Sequence, residues 1–281
     1  RSTPKPSSAA SDVYKRQRGI GGRSALDYLI KVKGYSFLEA VETIIGHTAI
    51  QAPVYEKPQS KEENKPLLLP EKCASNRVIT EYLFGRGIDF EIINYCISND
   101  LIFESLPYHN VVFVGYDEKK EPKYAAYRST NKRRIMGDCS GSKKDYSFRL
   151  GKENLEEVHL FECAIDLLSY ATLAKLNGQD WKEMSFVSLS GVYSPAKKIE
   201  DSKVPIALEK YLGSNPSVRK IRIHFDNDIA GRKAAQTLKT ILPDKYEIVD
   251  EPPKAGKDFN DFLCMRMGIY NKKTHERNEE R

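Results

Sequence analysis

Three carboxylates that follow predicted buried strands have the types and positions to carry chemistry. Glu162 comes directly after the apolar run VHLF, while Asp226 and Asp228 come after IRIHF. Each run precedes a helical pattern, which predicts parallel strands with ligands bound at their carboxyl ends. Carboxylates gathered there repel one another unless a cation lies between them. An all-oxygen ligand set favours Mg²⁺ or Mn²⁺ over zinc, and such ions accompany phosphate chemistry.

The spacing of the two aspartates fits a shared ion. Side chains two positions apart on a strand share a face, so Asp226 and Asp228 point the same way if the strand continues; otherwise the turn presents both. Mg²⁺ takes one or two carboxylates together with waters and substrate phosphates. Glu162 would then ligate the metal or accept a proton from an attacking hydroxyl. Because an isolated DxD pair is more often a solvated turn or a helix cap, further motifs must support this interpretation.

Composition limits the classes of protein that fit. The 281 residues suffice for one large domain or two modest ones, and the net charge of +6 permits a polyanionic partner without establishing one. The five cysteines form no CxxC pair, which disfavours a disulfide framework or a complete zinc site and indicates a reducing cytoplasm. We predict no membrane partner, because the sequence shows neither a transmembrane stretch nor a signal peptide.

The elements that must position the carboxylates lie in the second half of the chain. Residues 151–267 alternate strand and helix patterns, which predicts an α/β domain with a parallel sheet flanked by helices. Residues 71–150 predict a small α+β domain, with two helices around the turn at Arg86 and Gly87 and a hairpin formed by NVVFVGYD and PKYAAYRST. The remaining predicted segments are a disordered or artefactual tail at 1–17, a short helical segment at 18–46, a linker at 47–70 and a charged tail at 268–281.

The segment 158–263 resembles a Toprim domain, the catalytic fold shared by bacterial primases, type IA and type II topoisomerases and some nucleases. LFECAIDLLS matches the family's E-G-x-x-D motif at Glu162 and Asp166, and HFDNDIAGRKAA matches D-x-D-x-A-G-x-x-A. GKDFNDFL is similar to the K-D-x-N-D segment of phage-type primases, and SLSGV fits the turn after the second strand. Cys163 replaces the usual glycine after the glutamate, which puts the local geometry there in doubt.

The resemblance implies roles for individual residues. The catalytic and metal-binding residues would be Glu162, Asp226 and Asp228, with Asp258 as a further metal ligand. Asp166 would support Glu162 or be a helix N-terminal carboxylate; Asp258 and its neighbours would extend the metal site or cap the last helix. Lys233, together with Arg232, would lie near phosphates or be a plain surface cation. The supporting set is Asp166, Gly191, Gly231, Lys233, Asn260 and Asp261.

Two basic clusters are candidates for contact with a nucleic-acid backbone, although such runs are usually solvated loops. They comprise Lys132, Arg133, Arg134, Lys143 and Lys144.

The first half of the chain carries two further resemblances. GIGGRSALDYLIKVKGYSFLEAVETIIG is similar to the C-terminal end of the CHC-type zinc ribbon of bacterial primases, whose metal ligands would lie upstream of Arg18. SSAASDVYKRQ, which precedes this segment, resembles translated sequencing-adapter sequence, so we expect that the native upstream part is missing. Zinc is therefore expected only in that missing part. Residues 71–150 look like the uncharacterised domain that precedes Toprim domains in many plasmid and conjugative-element proteins, on YLFGRGID, the hairpin and GDCSGSKKDYSF.

Together these resemblances imply a primase-like enzyme of the bacterial cytoplasm. It would perform Mg²⁺-dependent (or Mn²⁺-dependent) nucleotidyl transfer from nucleoside triphosphates on single-stranded DNA, in replication or transfer of a mobile element. A helicase or relaxase of the same element is an expected partner. The alternatives are a Toprim nuclease and a non-catalytic DNA-binding accessory protein. A topoisomerase fits less well, because no tyrosine is marked as a nucleophile.

Overall fold

The structure, a computed structural model, describes residues 28–30, 33–35, 40, 43–44, 65–191, 193, 195–196 and 198–269. The predicted tail at 1–17 lies outside the described residues, as do most of the segment 18–46, most of the linker and residues 270–281. The chain divides into two compact units, Arg1–Glu63 and Asn64–Arg281, and every element below belongs to the second. Within the described residues, no helix has the length and apolar character needed to span a bilayer.

The second unit begins with two helices, as the sequence predicts: α1 is Arg77–Phe84 and α2 is Phe90–Ser98. Gly87, in the turn between them, has a φ of 81°, a conformation that glycine adopts without strain. The carboxylate of Asp89 accepts a hydrogen bond from the Glu91 amide and caps α2.

An antiparallel sheet of four strands follows these helices. The predicted hairpin is confirmed as a pair of neighbouring strands in the middle of the sheet. The two flanking strands are only three residues long, too short to show an alternating pattern, and the sequence analysis did not predict them. In sheet order the strands are β1 (Ile102–Glu104), β2 (Val111–Tyr116), β3 (Pro122–Arg128) and β4 (Met136–Asp138).

A second sheet has five strands in the order β5-β7-β6-β8-β9. Four of its strands run parallel, which confirms the predicted parallel sheet, whereas β5 is an unpredicted short strand that pairs antiparallel with β7. Because the chain passes from β6 to β7 on one side and then returns to β8 on the other, the β6–β8 edge is a topological switch point. The strands are β5 (Arg149–Gly151), β6 (Glu157–Phe161), β7 (Ser185–Ser188), β8 (Lys220–His224) and β9 (Glu247–Asp250).

Helices cover both faces of this sheet, which confirms the α/β fold class. Side chains alternate between the faces, so that Leu160 enters one hydrophobic core and Phe161 the other. On the Leu160 side pack α4 and α5, and on the Phe161 side pack α3 and α6. The four helices are α3 (Ala164–Leu176), α4 (Ile206–Ser214), α5 (Ile229–Ile241) and α6 (Phe259–Arg266).

One of the two cores joins the parts of the chain on either side of residue 150. Ile79 of α1 and Ile92 of α2 belong to the same buried cluster as Leu168 of α3 and Leu263 of α6. Phe148, which precedes β5, lies in that cluster too. The division into a 71–150 and a 151–267 domain stays a prediction, because the hydrophobic interior is continuous across it.

Candidate metal centre at the carboxyl edge of the parallel sheet

Strand register brings two of the predicted acids together. Phe161 at the end of β6 pairs with His224 at the end of β8, so the residues that follow them leave the sheet side by side. The Asp226 amide donates a hydrogen bond to Glu162 Oε1 at 3.2 Å. Two residues 64 positions apart (226 − 162) therefore meet at the switch point, where open α/β sheets bind ligands.

Glu162 is buried, with 5% of its surface exposed. Burial, followed by the charges of Asp226 and Asp228, raises the pKa of its carboxyl to about 7. The carboxyl therefore changes protonation near neutral pH, which is the range in which a side chain can both take and release a proton.

The Lys257 ammonium lies between the two aspartates. Its Nζ is 3.1 Å from Asp226 Oδ2 and 3.2 Å from Asp228 Oδ2. Hydrogen bonds to Asp226 and Asp228 raise the pKa of Lys257. Burial raises the pKa of Asp226 in spite of this lysine, whereas the Gly231 amide and Lys257 lower that of Asp228. Our sequence analysis missed Lys257 as a site residue, although it is the first residue of the KDFND segment.

The position of the Lys257 ammonium indicates whether a divalent cation would fit between the aspartates. A positive charge already lies between the two aspartates, and the side chains that pair with it are carboxylates, whose oxygens Mg²⁺ and Mn²⁺ prefer. The oxygens of Glu162, Asp226 and Asp228 do not all lie within 4.8 Å of one another in the described structure. An ion held by the two aspartates, with Glu162 nearby, matches the one or two carboxylates that Mg²⁺ takes.

The start of α5 fixes the position of the aspartate pair. Asp228 caps this helix, and its Oδ1 accepts a hydrogen bond from the Gly231 amide at 2.9 Å. A Cβ at Gly231 would lie 2.2 Å from the Asp226 carbonyl oxygen and 2.9 Å from Glu162 Oε1. Glycine is therefore required at this position of the D-x-D-x-A-G motif, because α5 lies too close to Asp226 and Glu162 to leave room for a side chain.

Arg232 and Lys233, adjacent on α5, have different environments. The Arg232 guanidinium donates to the carbonyls of Phe225 and Asp226 at 2.8 and 3.1 Å, and to Asp250 Oδ1 at 2.7 Å. It thus holds the chain after β8 against β9. Lys233 is exposed. The predicted proximity of Lys233 to phosphates stays a prediction.

The backbone around Glu162 explains why glycine stands at position 191 and why cysteine is tolerated at position 163. The Gly191 amide donates to the Glu162 carbonyl at 2.9 Å, and its φ of 126° lies in a region that favours glycine. Cys163 has a φ of −139°, so the glycine usual in the motif is not needed for the backbone here. The Cys163 thiol donates instead to Asp166 Oδ2 at 2.8 Å.

Asp166 and Asn260 form a buried link between α3 and α6. Asp166 Oδ1 accepts from the Asn260 amide at 3.1 Å, and the Asn260 side chain donates to Ser169 Oγ and the Arg86 carbonyl. Burial, followed by the charge of Asp258, raises the pKa of Asp166 to about 7. These contacts hold α3, which follows Glu162, against α6, which follows Lys257, and so support a positioning role for Asp166 and Asn260.

Asp258 and Asp261 shape the loop that carries Lys257. Asp258 caps α6 and accepts from the Asp261 amide at 2.7 Å, and Asp261 Oδ2 accepts from the Lys257 amide at 3.3 Å. Burial raises the pKa of Asp258. Asp258 thus has a capping role and Asp261 holds the backbone at Lys257, while the metal-ligand role of Asp258 stays a prediction.

The residues predicted to contact a nucleic acid are all exposed. Lys132, Arg133 and Arg134 are exposed in the β3–β4 loop. Lys143 and Lys144 are exposed as well, and Lys144 Nζ is 3.0 Å from Asp138 Oδ2 and 3.4 Å from the Ser190 carbonyl oxygen.

A second group of potential ligands has another explanation. Metal-ligating atoms of Cys73, Glu104 and His109 lie within 4.8 Å of one another. The buried Glu104 carboxylate accepts from the amides of Val78 and Ile79 and lies 2.6 Å from His109 Nδ1. It therefore serves as a cap for the first turn of α1.

Three solved structures that resemble the chain are primases. The primase fragment of the bacteriophage T7 primase-helicase protein is 18% identical, with a TM-score of 0.45, over 66% of this chain and 69% of that chain. The DnaG catalytic core is 13% identical, with a TM-score of 0.45, over 72% of each chain. The E. coli primase catalytic core is 12% identical, with a TM-score of 0.44, over 73% of this chain and 72% of that chain.

Family models match both described parts of the second unit. A search of curated proteins by sequence found no match. The model for a protein of unknown function, DUF3991, matches residues 81–154, and the model described as Toprim-like matches residues 159–263. The chain therefore contains a Toprim-like domain, with the acidic centre at its sheet edge, preceded by a DUF3991 domain.

Proposed function

We propose that this protein is a primase-like enzyme that joins nucleotides on a single-stranded DNA template in a Mg²⁺-dependent reaction. One observation carries the proposal: in a Toprim-like domain, the buried Glu162 contacts the backbone of Asp226, whose carboxylate and that of Asp228 both pair with the Lys257 ammonium. A proton-accepting group and a cation-binding pair thus adjoin one another at the ligand-binding edge of the sheet.

Each residue of the centre would have its own role in nucleotidyl transfer. Asp226 and Asp228 would hold Mg²⁺, which when bound supplies positive charge to the triphosphate of the incoming nucleotide. A 3′-hydroxyl attacks the α-phosphorus, a new P–O bond forms, and the bond to pyrophosphate breaks. Glu162 takes the proton of the hydroxyl, for which its pKa of about 7 suits it. Lys257 lowers the pKa of both aspartates and so favours their ionised form before the metal binds.

The cellular setting is proposed from the domain order. A DUF3991 domain followed by a Toprim-like domain agrees with the plasmid and conjugative-element arrangement expected from the sequence. We therefore propose replication or transfer of a mobile element in the bacterial cytoplasm. Single-stranded DNA and nucleoside triphosphates would be the substrates, and a helicase or relaxase of the element would be the partner.

A single assay separates this activity from its rivals. The protein is incubated with labelled nucleoside triphosphates, single-stranded DNA and Mg²⁺ or Mn²⁺, and extension and cleavage products are resolved on one gel. We expect extension by the wild type, and its loss in Glu162→Gln and Asp226→Asn with folding intact. The exposed Glu209→Gln and Asp244→Asn are matched controls that make the same chemical changes away from the site.

The other outcomes assign other functions. Metal-dependent nicking without nucleotide incorporation would identify a nuclease that uses the same acids. DNA binding that a chelator leaves unchanged, with no product from any substrate, would identify a non-catalytic accessory protein. Full extension activity in both site variants would remove the proposed roles of Glu162 and Asp226.

A further inference from the structure

Two arginines of the part matched by DUF3991 meet at one phenol oxygen. The Tyr82 hydroxyl lies 3.0 Å from Arg128 Nε and 3.5 Å from Arg86 Nη1. Arg86 also stacks over the Tyr82 ring, with its guanidinium carbon 5.5 Å from the ring centroid. Tyr82 lies on α1, Arg86 in the turn after it and Arg128 at the end of β3, so three separate elements form this group.

Neither guanidinium is paired with a carboxylate of the described residues. Within that part of the chain, no carboxylate oxygen lies within 4.0 Å of Arg86 or Arg128, and Arg86 Nε is buried without a hydrogen-bond partner. In contrast, Arg222 and Arg232 of the Toprim-like part are both paired with carboxylates. Among the described residues, these two half-buried like charges share a neutral hydrogen-bond acceptor and have no counter-ion.

The arginine pair adjoins the acidic centre. The Arg86 carbonyl accepts from the Asn260 side chain at 2.9 Å, which places the α1–α2 turn against α6. Cys264 Sγ of the same helix also donates to the Arg86 carbonyl, at 3.4 Å. The turn that carries Arg86 therefore packs against α6, whose N-cap Asp258 directly follows Lys257 of the acidic centre.

We propose that Tyr82, Arg86 and Arg128 form a phosphate-binding site next to the acidic centre. Planar guanidinium groups bind phosphate oxygens through paired hydrogen bonds, and a phosphate would supply both the missing negative charge and an acceptor for Arg86 Nε. The identification of the ligand as a nucleotide or nucleic-acid phosphate rests on the proposed function. The site would belong to the DUF3991 part, and the acids to the Toprim-like part.

Two sources could supply the phosphate, namely the triphosphate of a nucleotide and the backbone of single-stranded DNA. Fluorescence anisotropy with a labelled oligonucleotide and, separately, with a labelled nucleoside triphosphate distinguishes them. Both titrations are performed on the full chain in excess chelator, so that binding does not depend on a metal at the acids.

The variants are Arg128→Gln and Arg86→Gln, with Arg77→Gln as the control. Arg77 is a highly exposed α1 residue whose Nε is 2.8 Å from Glu81 Oε1, so its replacement removes the same charge from a solvated place. We expect each site variant to weaken binding of one probe about tenfold or more, as loss of a charged hydrogen bond does, and the control to change it less than twofold. For the oligonucleotide, the salt dependence should also fall by about one contact.

The outcomes separate this site from the proposed activity. If Arg86→Gln does not fold, Arg128→Gln and Arg128→Lys carry the test, with only partial recovery of binding expected in the lysine variant, because lysine returns the charge but not the paired hydrogen bonds. Wild-type affinity for both probes in folded Arg128→Gln, or no binding of either probe by the wild type, overturns the inference. Weakened binding in the arginine variants, with no product from the wild type in the extension assay, would overturn the activity and leave this site standing.

Discussion

At the scale of single residues, the Glu162 carboxyl links stability to function. Its pKa is raised from 4.5 to about 7, chiefly by burial, so between these pH values the folded protein binds more protons than the unfolded chain. The contribution of Glu162 to stability is therefore full below pH 4.5 and is lost as pH rises through 7. This loss is the energetic cost of keeping a proton acceptor in the interior.

Glu162→Gln should remove that cost. We expect the variant in excess chelator to exceed the wild type in free energy of unfolding by about 2 kcal/mol at pH 8, with little difference at pH 4. Urea unfolding at the two pH values measures this, and the exposed Glu209→Gln should show no pH-dependent gain. Equal pH dependence in Glu162→Gln and the wild type would mean that the carboxyl is not held in its neutral form.

Gly231 tests how closely α5 approaches the acids. A methyl group there would meet the Asp226 carbonyl oxygen at 2.2 Å, so Gly231→Ala must displace backbone and should cost about 2–4 kcal/mol of stability. Gly213 in α4 has open space around its Cβ position, and Gly213→Ala should leave stability unchanged or raise it by up to about 1 kcal/mol. Thermal unfolding of both variants measures the contrast, and similar melting temperatures would contradict it.

At the scale of elements, α5 holds the end of β8 through Arg232. Arg232→Gln loses bonds to two carbonyls and to Asp250, and should cost about 2–3 kcal/mol of stability while weakening Mn²⁺ binding at the adjoining aspartates. The exposed neighbour provides the comparison, since Lys233→Gln should change stability by less than about 0.5 kcal/mol. Urea unfolding and Mn²⁺ titration of the two variants measure both effects; equal stabilities would show that Arg232 does not clamp the strand.

Long elements could be predicted from the sequence because their patterns are local. The four parallel strands carry apolar runs, and α5 shows a helical period over thirteen residues. β1, β4 and β5 have three residues each, which is too few for any period, and they exist because a neighbouring strand offers hydrogen bonds. β5 in particular depends on pairing with β7, more than thirty residues later.

The same contrast applies to the candidate site, where some contacts could be predicted from local sequence patterns and others could not. The meeting of Glu162 with Asp226 follows from strand order, and the strand patterns were enough to predict it. The position of Lys257 between the aspartates depends on how the loop before α6 folds back, which no pattern specifies. Likewise, Arg86 and Arg128 meet at Tyr82 only because a helix, a turn and a strand pack together.

At the scale of the whole molecule, the shared core predicts that residues 65–269 fold as one unit. Trp181, the single tryptophan, is buried and packs edge to face on Tyr95 of α2, with ring centroids 5.0 Å apart. Its fluorescence therefore reports the contact between the two parts of the chain. Far-UV circular dichroism reports the helices, most of which lie after residue 150.

We expect the two signals of a 65–269 fragment to change at the same urea concentration, as a single cooperative transition requires. A 151–269 fragment would leave the apolar faces of α3 and α6 without α1 and α2, and should show a broad transition and bind a hydrophobic dye. A sharp transition in the shorter fragment would contradict this expectation. It would show that the Toprim-like part is independent, and that the DUF3991 part docks onto a domain already folded.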